Sequence, residues 1–430
     1  MKKITNIDQI ELSENTLVVM FGVPASGKSY VAEKLAEQFD AYIASSDAIR
    51  EELFGTAECQ SDPNKVFGIL QHRAGEELKS GGSVIIDATS LIKKYRVSNL
   101  KTYKGKFSRA ILIVCATELE IIMRQNQERN RHVPEDVIMR MLKTMSFPRD
   151  DEGWDEIYIL PHPENTKSLE DYLEDCKGID HDNPHHKLNI YDHMIACEEY
   201  LQIKDKTADK EPNEFLYKVA RYHDIGKPIV KSRLKRKGKE WIEDTCSHYI
   251  GHADVGSYMA ACSPDPLANE IMIALIGAHM DRFASPETYM IDFAEAHDRD
   301  LNLVSWFMAL NDADEHCDTH IVERNNRVEL LKLIRSLDLD QIREADNDEA
   351  EYATYLHIED DKVYEKFNEL CCELFINEYG EPRRDVISEI EGVIYPEFGM
   401  EIIAGDSDDF GWLTGCIVMN DRETLVMCFG

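Results

Sequence analysis

The chain has 430 residues, of which 43% are hydrophobic and 30% charged, and these proportions indicate a globular protein of two or three domains rather than a fibrous chain. Its 48 basic residues against 82 acidic ones give a net charge of −34, which argues against a protein that coats nucleic acid along its whole surface. The 11 cysteines are scattered and no apolar run reaches about 18 residues, so we expect reduced thiols, a cytoplasmic location and no membrane contact.

The first part of the chain, residues 1–163, is predicted to form an α/β domain with a parallel sheet. Amphipathic stretches typical of helices separate short apolar runs typical of buried strands. The runs begin at Leu17, Ser83, Ala110 and Ile157. Residues 164–184 then combine proline and glycine with a short acidic helix, a pattern that predicts a linker.

Two further regions follow the predicted linker. Residues 185–337 contain successive long amphipathic segments and no strand pattern, which predicts an all-α bundle. Residues 338–430 open with an acidic stretch, and we expect a helix near 363–379 and short strands in GCIVMN and TLVMCFG. This last region is therefore predicted to be a small α+β appendage.

A phosphate-binding loop follows the first predicted strand. Residues 22–29 read GVPASGKS, which matches the pattern G-x-x-x-x-G-K-[ST] between a strand and a helix. The glycines let backbone N–H groups face phosphate oxygens, Lys28 supplies a positive charge, and the Ser29 hydroxyl can hold Mg²⁺. The residues expected to contact the nucleotide are Gly22, Ala25, Ser26, Gly27, Lys28, Ser29 and Tyr30.

Two later segments carry the side chains of a phosphoryl acceptor site and a lid. Asp47 and Arg50 lie three residues apart at the start of a helix, so they face the same side. A carboxylate there can accept a hydroxyl proton, and capping of the helix is its alternative role. Arg124, Arg129 and Arg131 form either a solvated helix face or a lid that neutralises charge on the transferred phosphoryl group.

Residues 16–160 resemble the 5′-hydroxyl polynucleotide kinases of nucleic-acid end repair. The resemblance rests on GVPASGKS, on SDAIR, on the strand end DATSL and on the lid pattern R-x-x-x-x-R-x-R-x-V-P. It implies in-line transfer of the γ-phosphate of ATP to a 5′-OH, with Asp47 as general base and Arg50 as a contact to the acceptor phosphate. It leaves open which of the three lid arginines acts in catalysis.

The predicted helical region carries an ordered set of histidines and aspartates. The segment HDIGKP at 223–228 places a His-Asp pair near the end of an amphipathic helix. Because each member lies on or beside a predicted helix, a bundle can direct all of them inward, and imidazole and carboxylate suit a divalent first-row metal. The expected ligands are His193, His223, Asp224, His252, His279 and either Asp312 or Asp314.

This set resembles the HD superfamily of metal-dependent phosphohydrolases over residues 186–320. The resemblance implies two divalent transition-metal ions, such as Mn²⁺, Ni²⁺, Co²⁺ or Fe²⁺, with Asp224 as a bridge. It favours Asp314 over Asp312 because the pattern L-x-x-A-D ends at residue 314. Lys227 follows the His-Asp pair closely enough to contact a substrate phosphate.

The segment 231–240 is basic within an acidic chain, which predicts either a grip on a polynucleotide backbone or a solvated loop. Its charged side chains are Lys231, Arg233, Lys235, Arg236, Lys237, Lys239 and Glu240.

Together the two sites predict a bifunctional end-healing enzyme. It would phosphorylate 5′-OH ends of RNA or DNA with ATP and remove a 3′-phosphate or a 2′,3′-cyclic phosphate. The alternatives are a nucleoside or nucleotide kinase fused to an HD nucleotidase and an ATP-sensing switch protein without catalysis. The C-terminal region would either dock the two domains or recruit a nucleic-acid ligase.

Overall fold

In the computed structural model, the chain forms two compact units, Met1–Asp318 and Thr319–Gly430. The structure describes residues 1–57, 59, 61–129, 131–184, 186–237, 240–336, 342–344, 353–356, 362, 366, 369–370, 373–374, 400–404, 414–419 and 423–428.

The amino-terminal part of the first unit is built on a six-stranded sheet. Its strands are β1 (Lys2–Lys3), β2 (Thr16–Phe21), β3 (Tyr42–Ser45), β4 (Val84–Asp87), β5 (Arg109–Ala116) and β6 (Glu156–Pro161). They lie in the order β1-β6-β5-β2-β4-β3, and every neighbouring pair is parallel. All residues of β2 are buried, as expected for a central strand of a parallel sheet whose two faces are covered by helices.

In the described part of residues 1–163, six α-helices connect these strands. They are α1 (Lys28–Phe39), α2 (Ser46–Phe54), α3 (Pro63–Lys79), α4 (Lys93–Tyr103), α5 (Leu119–Glu128) and α6 (Glu135–Lys143). Because β2, β4 and β3 are parallel neighbours, their carboxyl ends and the loops after them meet at one edge of the sheet. Open α/β sheets bind ligands at that edge.

The following residues of the first unit are mostly helical. Their helices are α7 (Leu169–Glu174), α8 (Ile190–Thr207), α9 (Glu214–Tyr222), α10 (Lys227–Val230), α11 (His252–Cys262), α12 (Glu270–Ala278), α13 (Asp281–Ala284), α14 (Tyr289–Ala296) and α15 (Leu301–Ser336), of which only the residues up to Asp318 belong to this unit. Asn189, Asn213 and Asn269 cap α8, α9 and α12, since each amide oxygen accepts a backbone N–H of the first turn. The predicted combination of an α/β domain with a parallel sheet and a mostly helical domain is confirmed.

The helical region contains a β-hairpin that the sequence did not predict. It consists of β7 (Ser232–Lys237) and β8 (Glu240–His248), which pair antiparallel. Four of the six residues of β7 are charged, and its one apolar residue, Leu234, is exposed. The apolar alternation that identifies a half-buried strand is therefore missing from this segment.

The helical part packs directly against the sheet part within the first unit. The Nδ2 atom of Asn165 donates to the backbone oxygens of Ala116 and Cys262, at 3.0 and 2.8 Å. The Arg149 guanidinium pairs with Asp281 at 2.6 Å. The boundaries placed at 163/164 and 184/185 remain predictions, because the chain from Met1 to Asp318 is one compact unit.

Within the described residues of the second unit, five strands form one sheet. Its strands are β9 (Ile342–Glu344), β10 (Ala353–Leu356), β11 (Met400–Ala404), β12 (Thr414–Met419) and β13 (Glu423–Cys428). Their order is β11-β12-β13-β10-β9, with β10 and β13 parallel and the other pairs antiparallel. The predicted strand segments coincide with β12 and β13, whereas most of the helix predicted near 363–379 lies outside the described residues.

None of the helices in the described ranges combines the length and apolarity that crossing a membrane requires.

Candidate functional sites

The phosphate-binding loop lies between β2 and α1. A side chain at Gly22 is excluded, because its Cβ atom would lie 2.3 Å from Ser26 Oγ and its φ is +153°. Gly27 has a φ of +83° and directly precedes α1. The loop and the amino end of α1 therefore present backbone N–H groups to the crevice at the sheet edge.

Two side chains of this loop are placed for phosphate and metal contacts. The Lys28 ammonium is buried and donates to the Val23 carbonyl at 2.7 Å, and this burial lowers its pKa. The Ser29 hydroxyl donates to Asp87 Oδ2 at 2.8 Å, at the carboxyl end of β4. The hydroxyl and carboxylate oxygens form a donor set that fits Mg²⁺.

Asp47 stands in the same crevice at the start of α2. The hydroxyl of Ser45 caps this helix by accepting the backbone N–H of Ala48, which leaves the Asp47 side chain free of the capping role. One Asp47 oxygen accepts from Arg50 Nη1 at 2.8 Å and the other from Arg131 Nη1 at 2.6 Å. The carboxylate thus has a guanidinium on each of its two oxygens.

The crevice is a cavity of about 1000 Å³. Its lining includes Ala25, Gly27, Lys28, Ser29, Tyr30, Asp47, Arg50, Phe67, Asp87, Arg129, Arg131 and Arg140. The predicted lid residue Arg124 lies outside this cavity, where its half-exposed guanidinium pairs with Glu164. Sequence reasoning missed Arg140 and Phe67, because neither belongs to a motif and each reaches the cavity only through the packing of its helix.

The predicted metal ligands converge in the helical region. Asp224 Oδ2 lies 3.6 Å from His193 Nε2 and 3.3 Å from His223 Nε2. Asp224 Oδ1 lies 3.1 Å from His252 Nε2 and 3.5 Å from His279 Nε2. The two oxygens of one buried carboxylate therefore face two different groups of ligands, as a bridge between two metal ions would.

The geometry distinguishes the two aspartates that the sequence left open. Asp314 Oδ1 lies 3.2 Å from His193 Nε2 and 3.4 Å from His223 Nε2, so it completes the first group. Asp312, one half-turn away on α15, instead pairs with Lys204 Nζ at 2.6 Å. Of these two carboxylates, only that of Asp314 reaches the centre.

Each of the four imidazole rings is held through Nδ1, the nitrogen that does not face Asp224. Nδ1 of His223, His252 and His279 donates to the carbonyl three residues earlier, at 2.7, 2.7 and 2.6 Å. Nδ1 of His193 lies 2.6 Å from an oxygen of Asp318, a residue that sequence reasoning missed although it lies one helical turn beyond Asp314. These bonds leave every Nε2 available for a metal.

Polar atoms at the centre of this cluster fit a bound cation. His223 Nε2 and both oxygens of Asp224 are buried, and within the described residues none of the three makes a hydrogen bond of good geometry, although Asp224 Oδ2 has an ion-pair partner in Lys227. The Lys227 ammonium, also buried, lies 2.5 Å from Asp224 Oδ2. Burial alone would raise the pKa of Asp224, but Lys227 and His223 hold it well below its usual range.

The basic segment of the hairpin has acidic and carbonyl neighbours. Lys231 donates to the Asp180 carbonyl, Arg233 pairs with Asp182 and Lys235 with Asp244, at 2.5, 2.6 and 3.0 Å. Lys239 lies outside the described residues.

Comparison with known proteins identifies two domain types. A family model described as AAA domain matches residues 17–148, and one described as HD domain matches residues 190–315. The L-seryl-tRNA(Sec) kinase of Methanococcus maripaludis is 26% identical over 191 residues, which cover 43% of this chain and 73% of that protein. The chain therefore combines a kinase-like P-loop domain with an HD domain.

Solved structures give a weaker likeness. A chain of the Pnkp1/Rnl/Hen1 RNA repair complex is 19% identical with a TM-score of 0.28, over 31% of this chain and 45% of that chain. A gluconokinase from Sinorhizobium meliloti 1021 is 21% identical with a TM-score of 0.26, over 34% and 82%. The chain thus spans less than half the length of the repair-complex chain.

Proposed function

We propose that the protein heals nucleic-acid ends, by phosphorylating 5′-OH termini with ATP and by hydrolysing a 3′-phosphate or 2′,3′-cyclic phosphate in its HD domain. The observation that carries the kinase half is the position of Asp47, which shares one cavity with Lys28 of the phosphate-binding loop. A sensor that only binds ATP needs no such carboxylate.

In the proposed transfer, the loop and Lys28 bind the ATP phosphates and Asp47 accepts the proton of the attacking hydroxyl. Mg²⁺ held by Ser29 and Asp87 would neutralise charge on the phosphate oxygens. Arg50 and Arg131, which occupy the Asp47 oxygens without substrate, would turn to the acceptor phosphate and the transferred phosphoryl group.

The lining of the cavity supports a nucleic-acid acceptor. The Phe67 ring is 41% exposed and lies beside the Arg50 guanidinium, so a base can stack there while an adjacent phosphate meets the arginine. Arg129 and Arg140 add positive charge to the same cavity. The likeness to an L-seryl-tRNA(Sec) kinase, whose name gives an aminoacyl-tRNA as its substrate, supports RNA over DNA.

The HD centre supplies the second activity in this proposal. When two metal ions are bound, they would polarise the phosphate and lower the pKa of a bound water. Asp224 and Asp314 would hold them, while Nδ1 contacts fix the imidazoles. Lys227, whose ammonium lies at Asp224, would move to a phosphate oxygen of the substrate.

The proposal has two wider consequences. Healed ends are substrates for a nucleic-acid ligase, which is therefore the proposed partner. The free thiols among the described cysteines support the proposed cytoplasmic location.

One observation favours a second candidate function. The net charge of −34 suits a small-molecule substrate better than a polyanion, so a nucleoside or nucleotide kinase joined to an HD nucleotidase is the alternative.

The two functions differ in their acceptor. Purified protein is incubated with Mg²⁺, γ-labelled ATP, 5′-OH RNA or DNA oligonucleotides and free nucleosides, with Lys28→Ala as the control. We expect label on the oligonucleotide that disappears in the control. Label on nucleosides alone would establish the alternative, and label on neither would contradict both.

The hydrolase half is tested with oligonucleotides that end in a 3′-phosphate or a 2′,3′-cyclic phosphate, with Mn²⁺, Ni²⁺, Co²⁺ or Fe²⁺ added. Asp224→Ala should abolish hydrolysis and leave the kinase reaction intact. Hydrolysis of nucleotides but of no oligonucleotide end would instead support the nucleotidase.

A further inference from the structure

The hairpin of β7 and β8 has an irregular register. Ser232 pairs with His248 and Leu234 pairs with Glu243, so a two-residue step on β7 faces a five-residue step on β8. The extra residues of β8 must bulge, and a bulge bends its strand and redirects side chains. The bulge is anchored by the buried Ser247, whose backbone N–H donates to the Asp182 carbonyl at 2.7 Å.

The bulge brings together three side chains that a regular strand would keep apart. In a regular strand, the Cα atoms of residues four positions apart are separated by roughly 13 Å. Here Asp244 Oδ2 lies 2.8 Å from His248 Nε2, and the Cys246 thiol lies between them in sequence. One ligand atom from each of the three lies within 4.8 Å of the others, in a group separate from the two ligand groups that share Asp224.

A cation already occupies part of this position. The Lys235 ammonium lies 3.0 Å from Asp244 Oδ2, and its side chain is 47% exposed. Hydrogen bonds from Lys235 and His248 lower the pKa of Asp244, so the carboxylate is ionised at neutral pH. A metal ion can replace the ammonium because the flexible lysine has solvent beside it.

We propose that Asp244, Cys246 and His248 form a binding site for a single Zn²⁺ ion. A thiolate, an imidazole and a carboxylate are the three ligand types that proteins use for Zn²⁺, and a water molecule would fill the fourth position. Binding releases the thiol proton of Cys246 to solvent, requires the His248 tautomer whose proton is on Nδ1 so that Nε2 can bind the metal, and frees Lys235 from Asp244. This site goes beyond the proposed function, since neither phosphoryl transfer nor hydrolysis requires it.

Cobalt spectroscopy tests the site on the full-length protein. After removal of metals with a chelator, Co²⁺ is titrated and the thiolate-to-cobalt charge-transfer band is recorded, a signal that oxygen and nitrogen ligands do not produce. We expect a band in the wild-type protein that Zn²⁺ abolishes by competition. Cys246→Ser should lose the band, whereas Cys59→Ser, which changes another partly exposed cysteine, should keep it.

A second variant separates binding from folding. Asp244→Asn keeps the thiol, and loss of a direct ligand should weaken Co²⁺ binding by at least about 100-fold, since outer-shell losses alone cost 10- to 100-fold. Circular dichroism in chelator checks that each variant folds. The proposal is overturned if the wild type shows no charge-transfer band, if Cys246→Ser retains it, or if Asp244→Asn binds Co²⁺ as tightly as the wild type. A retained band would place the thiolate at Cys197 and Cys317, which lie beside His193.

Discussion

Asp47 has a guanidinium on each carboxylate oxygen, and the proposed proton transfer requires that one of them leaves when the acceptor binds. We expect Asp47→Asn to lower the rate of 5′ phosphorylation by about 10² to 10⁴, the usual contribution of a general base. ATP binding should not change, as measured by nucleotide titration. Glu52→Gln is the matched control, since Glu52 lies on the same helix and pairs with Arg73. Full activity in Asp47→Asn would exclude the general-base role.

The pair of aspartates on α15 provides a second comparison at the residue scale. Asp314→Asn should lower the metal content and the hydrolase activity, because Asp314 lies within 3.4 Å of two imidazoles of the centre. Asp312→Asn alters contacts with Lys204 and His316, which are not among the ligands of the centre, and should leave both unchanged. Metal analysis of the two purified variants measures the difference, and equal metal loss would contradict the assignment.

His297 predicts a dependence of stability on pH. Burial lowers its pKa below the ordinary value of 6.5, with the Asp150 carboxylate opposing this shift. As the pH falls below 6.5, the unfolded chain takes up the proton first, so the free energy of unfolding decreases until the folded pKa is reached. His297→Gln should make denaturation curves recorded between pH 7 and 5 less dependent on pH. An unchanged dependence would show that His297 does not contribute.

At the scale of elements, the contact between α10 and α11 depends on a glycine. A Cβ atom on Gly226 would lie 2.2 Å from the His252 carbonyl and 2.6 Å from the Gly256 nitrogen. Gly226→Ala should therefore displace the helix that begins with His252 and destabilise the fold by about 3 kcal/mol, the upper end for overpacking. Denaturant unfolding measures this loss.

Gly68→Ala is the control for this substitution. Gly68 lies within α3 and has nothing within 4 Å of its Cβ position. Alanine there should keep or increase the free energy of unfolding, by up to about 1 kcal/mol. If both variants were equally stable, the close approach of α10 to α11 would have no energetic importance.

The sequence predicts those elements whose pattern is local. The central strands β2, β4 and β5 are largely continuous apolar runs, and the HD ligands lie on or next to segments that the sequence predicts to be helical, so both could be predicted without the fold. The β7–β8 hairpin could not, because four of the six residues of β7 are charged and neither strand alternates apolar with polar residues. Phe67, Arg140 and Asp318 were missed for a related reason: each enters its site through the packing of its helix, whereas Arg124 fits the lid pattern but points away from the cavity.

At the scale of the molecule, hydrogen bonds connect the phosphate-binding loop to an HD helix. Thr117 Oγ1 donates to the Ser26 carbonyl at 3.1 Å, and the Tyr258 hydroxyl donates to the Thr117 carbonyl at 2.8 Å. We therefore expect the kinase and HD parts to unfold together. A non-hydrolysable ATP analogue at 100 times its Kd should stabilise both by about 2.7 kcal/mol.

Tryptophan fluorescence can follow the two parts separately. Trp154 belongs to the kinase part, and Trp306 packs against Phe215 in the HD part. In one variant Trp154 is the only tryptophan that remains, and in a second variant it is Trp306. The fluorescence of both variants should change at the same transition temperature, and the analogue should raise that temperature equally in both. The coupling would be contradicted if the two variants unfolded at different temperatures and the analogue raised only the temperature reported by Trp154.

Tyr258 also bears on how mutant phenotypes are interpreted. It lies on α11, within the segment that matches the HD domain, yet its hydroxyl group donates a hydrogen bond to the backbone directly after β5 of the kinase part. An allele that alters Tyr258 would be mapped to the hydrolase half from its position in the gene, but its defect should extend to the kinase. Complementation between alleles of the two halves should therefore fail for substitutions at this tyrosine and succeed for those at Asp47 and Asp314.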